Sequence, residues 1–182
     1  MIRIRRATPE DAAFIAETYR PFVEDHWASF ELEAPSADQI AKRIMDAGDR
    51  YPWLVAEDEV PLAYAYASRH RTRSAYQTSV DTAIYCAETA RGKGVGKQLY
   101  LSLLDLLSRQ NFTMAFAGIA MPNDASIGLH RAVGFDLVGT YPNVGYKDGA
   151  WRDTTWWHKS LAEPCLPPAE ILPVSTVFQT AA

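Results

Sequence analysis

The sequence predicts an α+β fold, with a mixed, mostly antiparallel central sheet flanked by about four helices. Three observations predict it. Segments with strand and helix periodicity run in the order β-α-α-β-β-β-α-β-α-β-β, which is not the regular βαβ alternation of a doubly wound sheet. A glycine-rich turn, Arg91-Gly92-Lys93-Gly94-Val95-Gly96, joins an apolar, β-branched run to a long amphipathic stretch. The chain has 182 residues, 48% hydrophobic and 22% charged, which suits one buried core.

The elements follow in order. Ile2, Arg3, Ile4 and Arg5 alternate apolar and charged, giving a short strand with one wet face. Thr8, Pro9, Glu10 and Asp11 open a helix, with Thr8 as cap and acids near the positive end of the dipole. Ala12, Ile15, Ala16, Tyr19 and Val23 form its apolar stripe. A loop rich in Trp, Phe and Glu covers residues 26–35, and Ser36 caps a second helix that ends near Gly48. Residues 53–56 and 62–68 are strands joined by the turn Asp58-Glu59-Val60-Pro61, and residues 79–86 are another. The third helix covers residues 99–107, a buried strand 114–120, and a fourth helix runs from the Pro122-Asn123-Asp124 cap to Val133. Gly134 ends it as a left-handed residue. Residues 135–146 and 154–159 are the last two strands. The domain is expected to cover residues 1–162. Residues 163–182 hold four of the eleven prolines and read as an appended tail.

Composition removes several function classes. A net charge of −4 argues against a general nucleic-acid binder. No apolar run reaches the roughly 18 residues of a membrane span, and no signal peptide is visible. The two cysteines, Cys86 and Cys165, give neither a disulfide framework nor a metal-ligand spacing, so no metal is expected and a reducing cytoplasm fits. Cys86 reads as a small core hydrophobe.

A glycine-rich turn at a helix N-terminus aims backbone N–H groups and the positive dipole end at one point, which suits a phosphate or diphosphate. The turn lacks the G-x-G-x-x-G spacing of a dinucleotide fold and the lysine-serine pair of a triphosphate loop. It does carry R-x-x-G-x-G between the fourth strand and third helix. Downstream stand Asn123-Asp124-Ala125-Ser126, Leu129-His130-Arg131 and Val133-Gly134-Phe135. With the element order, these resemble the GNAT superfamily of acyl-CoA-dependent N-acyltransferases over residues 2–160.

Within that superfamily the chain is similar to the phosphinothricin and methionine sulfoximine N-acetyltransferases. The similar segments are Arg71-Thr72-Arg73-Ser74-Ala75-Tyr76, Ile84-Tyr85, Pro122-Asn123-Asp124 and the hairpin Gly145-Tyr146-Lys147-Asp148-Gly149-Ala150-Trp151-Arg152-Asp153.

The resemblance implies acetyl transfer from acetyl-CoA to the α-amine of a small amino acid by a homodimeric enzyme. It implies that the backbone of Ile84, Tyr85 and Cys86 pairs with the pantetheine arm. Arg91, Gly92, Lys93, Gly94, Val95 and Gly96 would hold the diphosphate, and Asn123 would add a hydrogen bond. An ammonium must lose its proton before it can attack. Asp81, a lone carboxylate in an apolar strand just before the turn, is the expected base, directly or through water. The family usually has glutamate there, one methylene longer. His130, on the fourth helix, is expected to assist at the acceptor or the leaving thiol. Arg71 and Arg73, two apart on an extended segment, suit a substrate with an α-carboxylate at one end and a phosphinate, or a polar sulfoximine or sulfone head, at the other, and Tyr76 adds a hydroxyl. Phe30 matches an aromatic that walls the amino-acid pocket. Tyr51, Trp53, Trp156 and Trp157 are expected in core or interface. Ile171, Leu172, Pro173 and Val174 are read as a segment covering a partner subunit. Two other readings stay open: a GNAT enzyme acting on another small amine or a protein N-terminus, and a non-catalytic acyl-CoA-binding module.

Overall fold

A computed structural model describes residues 1–178; residues 179–182 of the expected tail lie outside them. The strands are β1 (Arg3–Arg6), β2 (Trp53–Asp58), β3 (Val60–Arg69), β4 (Ser79–Cys86), β5 (Met114–Ala120), β6 (Asp136–Lys147) and β7 (Ala150–Ser160). The helices are α1 (Ala12–Glu24), α2 (Ala37–Ala47), α3 (Val95–Arg109), α4 (Asp124–Ala132) and a short α5 (Val174–Val177). The predicted class and order hold, with α5 added. One seven-stranded sheet runs β1-β2-β3-β4-β5-β7-β6. Every neighbouring pair is antiparallel except β4–β5.

Side-chain alternation gives the sheet two coated faces. On one face α3 buries Leu99, Tyr100, Leu103, Leu104, Leu106 and Leu107 against Leu54, Val80, Ile119 and Trp157. Ala56, Ala63, Ala65, Ala67, Ala115 and Ala117 line the same face. These short side chains leave α3 room to lie close to the strands. Each leucine buried there contributes about 1.5–3 kcal/mol relative to exposure. On the other face α1 and α2 pack Ile15, Ala16, Tyr19, Val23, Ile40 and Ile44 on Trp53, Val55 and Tyr64.

The caps are local. Ser36 accepts from the Gln39 N–H at 3.2 Å, while the Gln39 side chain accepts the Ser36 N–H at 2.8 Å. Asp11 accepts the Thr8 N–H at 2.8 Å and pairs with Arg5 at 2.7 Å, so a single 3-10 turn precedes α1. The β6–β7 turn is Asp148-Gly149 with φ of 53° and 74°, the left-handed pair that a tight hairpin requires.

The C-terminal segment, read as an appended tail, packs on its own chain. The Leu172 N–H donates to the Gln110 carbonyl at 2.9 Å, and the Val174 N–H to the Asp49 carbonyl at 2.7 Å. Ser175 bonds the Asp49 carboxylate, and Arg109 donates to the Val177 carbonyl. Val174 and Val177 join the core under α3. The prolines carry the chain across the surface, and the two valines then bury its end.

Candidate active site

The parallel pair creates the site. β4 and β5 pair at Ser79↔Met114, Val80↔Ala115 and Asp81↔Phe116, and there the pairing stops. Beyond Asp81, β4 stays bonded to β3, and β5 to β7. The two strands part like a V with Asp81 at its apex. The backbone of β4 from Thr82 to Cys86 therefore has polar groups on one side with no strand partner. Buried backbone groups must be satisfied, so this edge is open to an extended ligand.

A cleft of about 220 Å³ fills the V. Thr82, Ala83, Ile84, Tyr85 and Cys86 form one wall and Ala117, Gly118 and Ile119 the other. Asn123, Ser126, Leu129 and His130 of the α4 region close one side, and Phe22, Ala28 and Arg91 the mouth. The Arg91 guanidinium lies 5.3 Å from the Phe22 ring centre.

The glycine turn meets the cleft at the N-terminus of α3. Gly92 and Gly94 have φ of 74° and 78°, and a Cβ on either would meet nothing within 4 Å. The turn is thus open where backbone N–H groups can face a diphosphate. Gly96 is the second residue of α3, so its N–H is among the free donors of that helix end. A Cβ there would come 2.9 Å from Cys86 Sγ, so glycine also lets helix and strand pack closely. Val95 is the first residue of α3 and is buried, while Lys93 is exposed in the turn. Cys86 is only half-buried: one side touches the core and the other lines the cleft. Burial pushes its thiol pKa up. The residues present suit a nucleotide-linked pantetheine, with a diphosphate cradle, an unpaired strand edge and an apolar groove in one line.

Asp81 and His130 fall on opposite faces of the sheet. Asp81 points to the α1/α2 face, where the His70 Nδ1–H donates to Asp81 Oδ1 at 2.6 Å. Burial pushes the Asp81 pKa up, opposed by His70 and Arg71. His70 stacks on Phe116, with centres 4.3 Å apart and planes 14° apart. Tyr76 is half exposed, with its ring edge-on to His70 at 6.0 Å. The Arg71 guanidinium lies 5.5 Å from the Trp156 ring centre and donates to the His70 carbonyl at 2.7 Å.

The segment after Arg69 bends instead of extending. Arg71 lies beside the Asp81–His70 pair. It also lines an outer pocket together with Arg73, Arg50 and Arg69.

His130 is buried on the α3 face. Its Nδ1 lies 2.7 Å from the Ser126 carbonyl, which can only accept, so Nδ1 carries the hydrogen. Its Nε2 then accepts from the Tyr100 hydroxyl at 3.0 Å, and Tyr100 meets the Thr82 hydroxyl at 2.8 Å. Both nitrogens are engaged, and burial pulls the pKa down. His130, expected at the acceptor or the thiol, presents no free nitrogen. It ties α4 through Tyr100 to the cleft wall at Thr82.

Asn123 caps α4, accepting the Ser126 N–H at 3.1 Å, while also lining the cleft. Tyr85 packs on Tyr64 and Tyr19 at 5.3 Å and 4.8 Å, so its side chain anchors β4 to the α1 face.

Phe30 rests on the β6–β7 hairpin. A Cβ on Gly145 would meet its ring at 2.3 Å, so the hairpin glycine is needed for this seat. Lys147 of the same hairpin is buried and donates to the carbonyls of Val23, His26 and Ser29 at 2.6, 2.9 and 2.7 Å. It thereby fixes the loop carrying Trp27, Ala28 and Phe30. The Trp27 indole N–H donates to the Pro122 carbonyl at 3.0 Å, beside the cleft.

Residues 4–156 match the family model described as an acetyltransferase (GNAT) domain. The chain belongs to the GNAT acetyltransferase family. Among curated GNAT relatives, a phosphinothricin N-acetyltransferase of Streptomyces viridochromogenes is 34% identical, covering 97% of this chain and 96% of its own. An L-methionine sulfoximine/L-methionine sulfone acetyltransferase of Salmonella typhimurium is 35% identical over 91% of this chain and 98% of its own. Among solved structures, a GNAT phosphinothricin acetyltransferase of Sinorhizobium meliloti in complex with AcCoA superposes with a TM-score of 0.88 at 37% identity, covering 96% and 97% of the two chains. The fold and its glycine turn are therefore those of an N-acetyltransferase that uses acetyl-CoA.

Sequence reasoning missed His70 and Trp156 as site residues. The register gives the signal for His70: Ser68 lies opposite Asp81, so residue 70 shares that face on the diagonal.

Proposed function

We propose that this GNAT enzyme acetylates the α-amine of a small amino acid with a polar tetrahedral head, such as phosphinothricin, methionine sulfoximine or methionine sulfone. The observation that carries the reading is the V at Asp81: an open strand edge leading from the glycine turn ends at a carboxylate. The relatives' names and Arg71 beside that carboxylate support the acceptor class. Acetyl-CoA supplies an activated acetyl thioester.

Asp81 takes the proton that the ammonium must lose. The unpaired N–H groups of β4 next to Asp81 polarise the acyl carbonyl. Arg71 binds an acid group of the acceptor, while Arg73 contributes positive potential from the outer pocket. Phe30 and Tyr76 border the acceptor. Ile84, Tyr85 and Cys86 offer backbone to the pantetheine, and residues 91–96 hold the diphosphate. Asn123 borders the pantetheine. An amide forms, coenzyme A leaves as a thiol, and one proton is released.

A thiol-release assay with those three amino acids and a polyamine tests the reading. Turnover of at least one amino acid and not of the polyamine is expected. Turnover of the polyamine alone overturns the acceptor class, and acetyl-CoA binding without any turnover favours a sensing module.

We also read the enzyme as a homodimer. Leu137, Val138, Tyr141, Val144, Tyr146 and Trp151 are each at least half exposed on the free-edge hairpin, which is a large apolar surface for a lone chain. A single-chain mass by sedimentation equilibrium would contradict it. No described helix is long and apolar enough to cross a membrane. With Cys86 and Cys165 both free, we place the enzyme in a reducing cytoplasm, and recovery from an oxidising compartment would contradict that.

A further inference from the structure

We propose that His70 is the positioning residue of the base: its Nδ1–H holds one oxygen of Asp81 so that the other faces the acceptor amine. The inference rests on Asp81 being the base.

The distance of 2.6 Å is that of a charge-assisted hydrogen bond. A carboxylate only accepts, so Nδ1 carries the hydrogen. Three rings fix the imidazole: Phe116 stacks on it, and Tyr76 and Trp156 stand edge-on at 6.0 and 6.4 Å. Exposure settles which member is in front. The His70 side chain is 9% exposed and the Asp81 side chain 29%. The histidine stands behind, and the carboxylate meets the acceptor. Asp81 Oδ2 has no hydrogen-bond partner among the described residues, so it is free to take a proton.

The pairing also answers the short side chain. An unheld carboxylate turns freely, whereas attack requires it to be fixed relative to the amine. His70 supplies that restraint from a buried seat. The other charged or titratable groups facing the pair are Arg71 from the β3–β4 connection, Tyr66 from β3 and Tyr76. β5 contributes only neutral Phe116, and His158 of β7 lies beyond it at 6.5 Å. In the proton step, one proton passes from the ammonium to Asp81 Oδ2, while the His70 hydrogen stays on Nδ1.

Two variants and one spectrum test this. His70→Phe keeps a ring on Phe116 but removes the donor, and His70→Asn returns an N–H near the lost Nδ1–H. His70→Phe should lower kcat about 10²-fold, the cost of a misplaced group, with the KM for acetyl-CoA unchanged. The acid limb of its pH–rate profile should move up, because the carboxylate has lost a donor. His70→Asn should restore most of the rate. Long-range ¹H–¹⁵N NMR of the free wild-type protein should show a hydrogen on His70 Nδ1, and Asp81→Asn should disturb that signal. An unmoved acid limb in a folded His70→Phe protein, or a His70 Nδ1 without a hydrogen, overturns the proposal. The spectrum needs no substrate, so it decides on His70 even if no amine is acetylated, a result that would count against the function.

Discussion

Replacing Lys147 with Met should destabilise the protein by about 2–4 kcal/mol. The side chain is 4% exposed and its ammonium holds three carbonyls. Two of these bonds, to Val23 and Ser29, are buried. Val23 belongs to the last turn of α1, where carbonyls have no intrahelical partner and the helix dipole is negative. Methionine keeps the shape and removes the donors. Each buried carbonyl left without a partner costs about 1–3 kcal/mol. Two of them give about 2–6 kcal/mol, reduced because the variant no longer desolvates an ammonium. For a chain of this size that lowers Tm by about 5–15 °C. Urea unfolding followed by circular dichroism measures it as a lower midpoint at constant slope. A loss under about 1 kcal/mol would refute the reasoning, because the three carbonyls would then be satisfied without the lysine.

Two further outcomes follow from the cleft walls. Gly94→Ala forces a side chain into a left-handed conformation at a cost of about 1 kcal/mol, and should weaken acetyl-CoA binding by calorimetry; unchanged affinity would remove Gly94 from the diphosphate cradle. His130 has its pKa lowered by burial, so the unfolded chain binds that proton more readily than the folded one. Stability should therefore fall as pH drops below the ordinary histidine value of about 6.5, and His130→Gln should lose this part of the dependence. Equal urea midpoints for wild type at pH 7.5 and 5.5 would contradict it.

The sequence was legible where one period dominates. Leu99, Leu103 and Leu107 mark α3, alternation marks β3 and β4, and Ser36 with Gln39 marks the start of α2. The glycine turn also declared a phosphate-type ligand, and the resemblance to the GNAT superfamily narrowed it to the diphosphate of acetyl-CoA. What stayed hidden depends on register and on distant partners. His70 becomes part of the site only when Ser68 is set opposite Asp81. Gly145 and Lys147 are visible as a motif, but their reasons lie in the Phe30 ring and the end of α1, more than a hundred residues away. Arg71 and Arg73 line one pocket, and the nearness of Arg71 to Asp81 appears only once the chain bends after Arg69. The tail reads as loose because of its prolines, whereas its docking depends on the carbonyls of Gln110 and Asp49. Asp81 and His130 were paired by chemistry, and only the strand's alternation reveals that they face opposite ways.

The measurement that tests the account most directly is kcat/KM for the amino-acid acceptor in Asp81→Asn, with acetyl-CoA affinity measured on the same sample. Under the proposed function the carboxylate at the apex of the V takes the ammonium proton, so kcat/KM should fall about 10²–10⁴-fold while acetyl-CoA binds as before. Wild-type turnover in a folded Asp81→Asn protein would contradict it.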